Sequence, residues 1–477
     1  MSGKNWLLHI PRFPDNLPWA ILEIAKILDE KNQPYEILEF NHQLYKNFFN
    51  TPDWQSIDEL GVMEKSKFPL FKVARLFYKC IKNVKNTDRI LISLFSTESR
   101  SWALFACALI RKQKKCKIIL GGNGIYAPGE TKLESEWADM VIDMNLADHI
   151  FYNQADETLI DALDKNFNIP TKIYKPTTKF PNIGFIPDHI ARENLDLKRI
   201  DDPIYFREDL DHTAMAGELA GIEWAHKIHF TMGCVKRCTF CDVHGQQNWV
   251  MRPAQTVVDE IKHYYEQGVR YFFLADSTVN GSNREWLKFL TLFADFQSTL
   301  DDPIHWNANY AIKPKNRNPQ EQFELMRKSN FTISIGMDHC SDQVLAHMGK
   351  KYTWDDIEWT VDQLESENVY IRDALWIVGY PTETQDDLLE YNKLFELLKN
   401  KRHTFVSNTC NVCYIPRNSS LLDIIDMDWN NPNKWVSQNG KLTKEIRLER
   451  KKWVDEHLNA LGPMKYKYTD SYRRAIR

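Results

Sequence analysis

The sequence predicts an α/β protein: a doubly wound, Rossmann-like parallel-sheet domain, then a full or partial (β/α) barrel, then a helical C-terminal tail. Three observations predict it. Strand and helix signals alternate over residues 1–165, the alternation lapses over 166–225, and it returns over 226–425 with six strand-like runs between helical ones. Such alternation points to parallel sheets covered by helices.

In the first part, "NWLLHI" is a short apolar strand. "LPWAILEIAKILDEKN" repeats apolar residues at Trp19, Leu22, Ile24, Ile27 and Leu28, with Pro18 where a first turn tolerates it. "YEILEF" reads as a second strand, residues 44–86 as a helical, aromatic insertion, "RILISLF" as a strand, "SWALFACALIRKQ" as a helix, and "CKIILGG", "MVIDM" and "HIFYN" as strands. A ligand site belongs at the carboxyl ends of those strands. Residues 166–225 collect Pro170, Pro176, Pro181, Pro187 and Pro203 and read as an extended linker. The barrel strands are "KIHFTMG", "YFFLAD", "IHWNANY", "TISIGMD", "YIRDALWIVGY" and "HTFVSNTCNVCYIP". Residues 426–477 read as helical; from Lys441 to Arg477 eleven Lys or Arg face five Asp or Glu, as on a capping helix with a solvated basic face or on a partner contact.

With 477 residues the chain has room for two or three domains, and its 43% hydrophobic and 26% charged content is ordinary for globular proteins. The aromatic content is high, with 15 Trp, 19 Tyr and 25 Phe. A net charge of −4 supplies no global field for nucleic acid or an anionic membrane. The first residues lack the pattern of a secretory signal, and no run of 18 apolar residues occurs, so a cytoplasmic protein with no membrane partner is expected. Nine cysteines without framework spacing fit a reducing compartment.

Three of the nine lie in "CVKRCTFC", at Cys234, Cys238 and Cys241. They directly follow the first barrel strand, on the face where parallel barrels do chemistry. Three thiolates can bind three irons of a cubane and leave the fourth open. The same thiols with His244 would make a closed zinc site, so spacing alone leaves both metals in play. Cys80, Cys107 and Cys116 read as core residues. Cys410 and Cys413 lie three apart on a strand, facing opposite sides.

"CVKRCTFC" resembles the cluster motif of radical S-adenosylmethionine (SAM) enzymes. "FFLADSTVNGS", "ISIGMDHCSDQVLAHMGKKYT" and "WIVGYPTETQDDL" are similar, in order and spacing, to strand regions of the subgroup with an N-terminal cobalamin-binding-type domain. The likeness covers 225–420 and extends more weakly over the first domain, through "IILGGNG" and "HIFYNQADETLIDAL". It implies three cofactors: a 4Fe-4S cluster, SAM on its open iron, and cobalamin. It also implies a 5'-deoxyadenosyl radical that abstracts a substrate hydrogen, and an external electron donor such as flavodoxin or ferredoxin.

By position, the resemblance places Phe240 beside the adenine and Asp276, Ser277 and Thr278 at the methionine amino group, although "ADST" replaces the usual glycine pair and glutamate. Gly336 and Asp338 would serve the ribose, and Ile377 and Gly379 the adenine side, with Pro381 in the same turn. Gly121 and Gly122 would pack against a corrin. The string Asp, any residue, His, two residues, Gly, which marks a protein histidine ligand to cobalamin, is absent. His9, ending the first strand, is a minor candidate ligand. Glu383 and Thr384 are expected to cap a helix.

The reading is a cobalamin-dependent radical methyltransferase acting on an unactivated carbon or phosphinate-like centre of a small molecule or peptide. The alternatives are radical rearrangement, cyclisation or oxidation without methyl transfer, and a non-catalytic cobalamin and iron-sulfur sensor. A methylthiotransferase would need a second cluster. Trp306, Tyr310 and Trp376 are candidates either for the cavity wall or for the barrel core.

Overall fold

A computed structural model describes residues 3–8, 10, 19–38, 40–48, 51, 69–94, 99–125, 136–152, 157–170, 172–174, 225–241, 249–266, 268–274, 276–401, 405–415, 419–427, 434–438 and 440–461. The chain divides into two compact units, Met1–Tyr205 and Phe206–Arg477.

The first unit is a parallel sheet of β1 (Asn5–Leu8), β2 (Tyr35–Leu38), β3 (Arg89–Ser93), β4 (Lys117–Gly122), β5 (His149–Tyr152) and β6 (Ile173–Tyr174). The order is β2-β1-β3-β4-β5-β6. Every described pairing is parallel. β1 and β5 are buried along their whole length, as expected when helices cover both faces. The helices are Trp19–Glu30, Phe40–Phe48, Leu70–Cys80, Ser99–Gln113, Glu136–Asp143 and Glu157–Asp164.

Two expectations change here. "MVIDM" forms the end of the helix Glu136–Asp143 and the turn after it, not a strand: Ala138 and Val141, three apart, turn to the core, and Glu136 and Asp139 sit in the first turn. A short apolar run carries too little period to separate the two states. Ile173–Tyr174, inside the expected linker, pairs with β5 as a sixth strand, and Tyr174 stacks on Phe151 with centroids 4.4 Å apart. His9 and residues 175–224 lie outside the described residues.

The second unit is built on β7 (Ala225–Ile228), β10 (Tyr271–Leu274), β11 (His305–Tyr310), β12 (Phe331–Asp338), β13 (Tyr370–Val378) and β14 (Phe405–Val412). They form an open sheet in the order β14-β13-β12-β11-β10-β7, so of the two expected forms the partial barrel is the one present. Two short antiparallel pairs accompany it: β8 (Thr231–Met232) with β9 (Val250–Met251), and β15 (Ile425–Asp426) with β16 (Val436–Ser437).

Trp306 is fully buried and meets Phe293 and Phe289 of the helix Asn283–Gln297 at 4.5 and 5.9 Å between centroids. Trp376 is equally buried, near Trp354 and Tyr391 of the helical layer. The Tyr310 hydroxyl donates to Asn318 at 3.0 Å. These three aromatics are therefore core between sheet and helices. Strand alternation then gives the opposite face Asn307, Asn309, Ser334, Gly336, Asp338, Asp373, Leu375 and Ile377. That face is polar on β11 and β12 and carries the exposed Leu375 on β13.

The helix Lys444–Ala460 packs on β13 and β14, and its basic residues are not all solvated. Arg447 is buried, its guanidinium 3.6 Å from the Trp435 ring centroid and donating to the Trp435 carbonyl at 2.6 Å. Part of the tail's positive charge thus belongs to the core.

Candidate active site

β7 ends at Ile228, and the chain turns through β8 into the cysteine loop. Two residues just past the carboxyl end of β10 root that loop. Asp276 Oδ2 accepts from the Phe230 amide at 3.2 Å, and Oδ1 accepts from the Thr231 amide. Burial pushes the Asp276 carboxyl up to about 7, against the pull of these donors and Arg252. The Thr231 hydroxyl donates to the Thr278 carbonyl at 3.0 Å, and the Thr278 hydroxyl to Asn280 Oδ1 at 3.0 Å. On the other side, the Arg252 amide donates to the Phe230 carbonyl at 2.9 Å while its guanidinium pairs with Glu260 at 2.6 Å. Asp276 and Thr278, expected to meet the methionine amino group, are instead committed to the loop's own backbone and to a neighbouring side chain. Ser277 alone of the three is exposed.

Cys238 is buried; Cys234 and Cys241 are half-buried. The Lys236 amide donates to Cys234 Sγ at 3.4 Å. Burial pushes the Cys238 thiol up, and the Lys350 ammonium beside it works the other way. Among the described residues no three His, Cys, Asp or Glu side chains are grouped to hold one metal ion. His244 lies outside the described residues. The loop's donor set of three thiols, an amide and an ammonium suits an anionic cluster.

The far side of the loop rests on residues 347–350. The Thr239 amide donates to the Met348 carbonyl at 3.1 Å, and its hydroxyl lies 2.8 Å from the Tyr380 hydroxyl. Gly349 has φ +78°, and a Cβ there would stand 3.0 Å from the Arg237 carbonyl oxygen, so glycine permits this approach. Lys350 then reaches back: its ammonium is 2.5 Å from Asp338 Oδ2 and 5.2 Å from the Phe240 ring centroid. Burial works against that charge, but Asp338, with Tyr352 and Cys238 behind it, holds Lys350 well above the usual lysine value. The Tyr352 hydroxyl donates to the same Oδ2 at 2.7 Å. Asp338 itself has φ +65°, a conformation unusual for a side chain larger than glycine, at a register shift between β12 and β13.

Phe240 and Ile377 meet as partly buried residues against one apolar cluster containing Tyr380, Cys413 and Ile415. Gly379 has a different neighbour from the one expected. Its φ is +71°, and a Cβ would sit 2.6 Å from Arg447 Cγ, so it makes room for the C-terminal helix. Its amide donates to Glu383 Oε2 at 2.7 Å. Glu383 does not cap a helix; it is buried between His339, at 3.1 Å, and Arg450, at 2.6 Å. His339 Nδ1 accepts from the Ser341 amide at 2.9 Å, which leaves Nε2 to donate to Glu383. Thr384 does cap, forming a box with Asp387.

In the first unit, Gly122 has φ +104°, and a Cβ would lie 2.4 Å from the Leu94 carbonyl oxygen. This glycine is required by the sheet end itself. A Cβ on Gly121 would make only an ordinary contact, 3.6 Å from the Phe151 carbonyl oxygen. Cys107 and Cys116 are core, their thiols pushed by burial up to about 12 and about 11.

The sequence reading missed Lys350 and Tyr352. The run "GKKY" after the fourth-strand region was their only signal, and nothing in it says that the first lysine turns inward. It also missed four cations beside the loop: Lys236, Lys313, Arg317 and Lys351 line one cavity of ≈ 430 Å³.

Residues 228–395 match the family model described as the Radical SAM superfamily. Among curated proteins, the tRNA-2-methylthio-N(6)-dimethylallyladenosine synthase of Fusobacterium nucleatum is 24% identical over 220 residues, which are 44% of this chain and 49% of that protein. The ribosomal protein uS12 methylthiotransferase RimO of Carboxydothermus hydrogenoformans is 25% identical over 180 residues, 36% of this chain and 40% of that protein. The chain therefore spans about half or less of the length of these relatives. Among solved structures, the radical SAM methyltransferase TsrM from Kitasatospora setae, with cobalamin and a 4Fe-4S cluster bound, aligns with a TM-score of 0.63 at 13% identity, over 94% of this chain and 81% of TsrM. The cobalamin-dependent radical SAM enzyme OxsB with aqua-cobalamin aligns at 0.54 and 14%, over 99% of this chain and 60% of OxsB. At such identities the likeness is one of fold.

Proposed function

We propose, on the premise that residues 228–395 form a domain of the radical SAM superfamily, that the chain is a cobalamin-dependent radical SAM methyltransferase acting on a small molecule or peptide. One observation carries this reading: three thiols on one braced loop at the carboxyl end of the first barrel strand, beside an amide and an ammonium donor. When bound, the cluster, SAM and corrinoid supply a 5'-deoxyadenosyl radical and a transferable methyl group.

Cys234, Cys238 and Cys241 would hold the cluster. Phe240 and Ile377, on one apolar cluster, would form a wall for a planar ring such as adenine. Asp338 spends both of its described contacts on Oδ2, so Oδ1 remains to accept from a ribose hydroxyl. The exposed Ser277 is the member of "ADST" available to a ligand amine. The polar face of Asn307, Asn309, Ser334 and Asp373 would bind substrate by hydrogen bonds. An external flavodoxin or ferredoxin would supply the electron.

The cobalamin half of the reading rests on the first unit. Its β2-β1-β3-β4-β5 order is flavodoxin-like, with a crevice at the carboxyl ends of β1 and β3 where the winding reverses. Gly121 and Gly122 end β4 on that same rim. Methyl rather than methylthio transfer is preferred because Cys107 and Cys116 are packed into the sheet's core and are not presented to a second cluster.

The test is anaerobic reconstitution followed by metal, cofactor and product analysis. The expected result is about four irons per chain, extractable cobalamin, and both S-adenosylhomocysteine and 5'-deoxyadenosine as products. Cys238→Ala is expected to abolish iron uptake and both products. One zinc and no iron would sink the radical assignment; 5'-deoxyadenosine alone would replace methyl transfer with a rearrangement, cyclisation or oxidation.

A further inference from the structure

The cavity on the β10 and β11 side of the cysteine loop has a volume of ≈ 430 Å³ and an unusual wall. Lys236 comes from the loop itself, Lys313 and Arg317 follow β11, and Lys351 comes from the 347–351 turn; among the described residues no Asp or Glu lines it. None of the four cations has an ion-pair partner among the described residues. Three inward-turned cations elsewhere in the unit have carboxylate partners, Lys350 with Asp338, Arg252 with Glu260, and Arg450 with Glu383, while buried Arg447 is met by the Trp435 ring and carbonyl. A fold gains nothing by gathering like charges around a concavity, where screening is weaker than in bulk water at the partly buried Lys236 and Lys313. Lys313 feels it: burial and then the Lys236 ammonium push its side chain down to about 8. The arrangement is one that an anion would complete.

We infer that this cavity binds the phosphate or phosphonate group of the substrate, so that the substrate is a small phosphorylated or phosphonylated molecule. The inference rests on the radical reading only for the word substrate; the anion site stands on its own geometry. SAM does not fit the cavity's charge, because a sulfonium and an ammonium against one carboxylate leave it a net cation. A phosphoryl dianion fits better than a single carboxylate, since it can take lysine point charges and the arginine fork together. The volume lies in the range of small-molecule sites. Because Lys236 belongs to the cysteine loop, an anion held there brings the attached carbon skeleton alongside the cluster, where the radical is generated.

The test is calorimetric titration of the full chain with inorganic pyrophosphate at fixed ionic strength, with citrate as the polycarboxylate arm. One saturable site is expected, weakened about ten-fold or more by Lys313→Gln and by Arg317→Gln, the size of losing one charge-assisted bond. Lys351→Gln, at an exposed position, is expected to act in the same direction. Lys328→Gln, which removes a surface lysine paired with Glu324 outside the cavity, is expected to change nothing. Absence of saturable binding, equal weakening by Lys328→Gln, or citrate binding as tightly as pyrophosphate would overturn the inference. Iron content and SAM cleavage measured on the same wild-type sample separate the two readings. A sample that cleaves SAM but does not bind pyrophosphate fails this inference alone, and one that binds pyrophosphate but takes up no iron fails the radical reading alone.

Discussion

The two flanks of the cysteine loop treat positive charge in opposite ways. On the 347–350 side, Lys350 is almost enclosed, paired with Asp338 at 2.5 Å, and set against Phe240. On the β11 side, Lys236, Lys313, Arg317 and Lys351 surround open space with no carboxylate among the described residues. The first flank completes its electrostatics within the fold. The second leaves them to a ligand. Removing one partner of a buried pair leaves an uncompensated charge, whereas charge left unpaired in a concavity is open to a ligand.

This contrast can be broken by substitution. The largest effect is expected on the paired flank: Asp338→Asn leaves the Lys350 ammonium without its anion and is expected to cost about 3–5 kcal/mol in denaturant unfolding. Adding Lys350→Met should recover much of that loss; additive losses would show that the pair does not act as a unit. A middle effect is expected at the turn that supports the same flank. Gly349→Ala at φ +78°, facing the Arg237 carbonyl, is expected to cost about 1–3 kcal/mol and to lower iron retention, read by thermal unfolding and metal analysis. The smallest effect belongs to the unpaired flank. Arg317→Gln and Lys351→Gln are expected to change stability by no more than about 0.5 kcal/mol, and a large destabilisation would mean that these cations are structural after all.

The same division explains what could be read in advance. The parallel strands were legible because runs such as "RILISLF" and "CKIILGG" are apolar on both faces, and burial on both faces leaves a continuous signal. The metal loop was legible because its three thiols lie within eight residues of one another in sequence. "MVIDM" was misread because five residues do not separate a period of 2 from one of 3.6. Trp306, Tyr310 and Trp376 stayed undecided between cavity and core because alternation shows that they share a face and not which face the helices cover. Gly379 was read for closeness to a cofactor when the close neighbour is Arg447, contributed by a helix far along the chain. Asp276 was read as a cofactor contact when both its oxygens serve the amides of residues 230 and 231.

By itself the sequence determined the local things: two parallel-sheet units, the place of the cysteine loop at a strand's carboxyl end, and the residue types able to hold a cluster. Only the tertiary structure decided that the sheet of the second unit is open, that Lys350 pairs with Asp338 behind Phe240, and that four cations from three separate segments share one cavity. The physical reason is range. Strand burial and metal-ligand spacing act between near neighbours in the chain, whereas ion pairing and cavity lining depend on which distant segments the fold brings within a few ångströms.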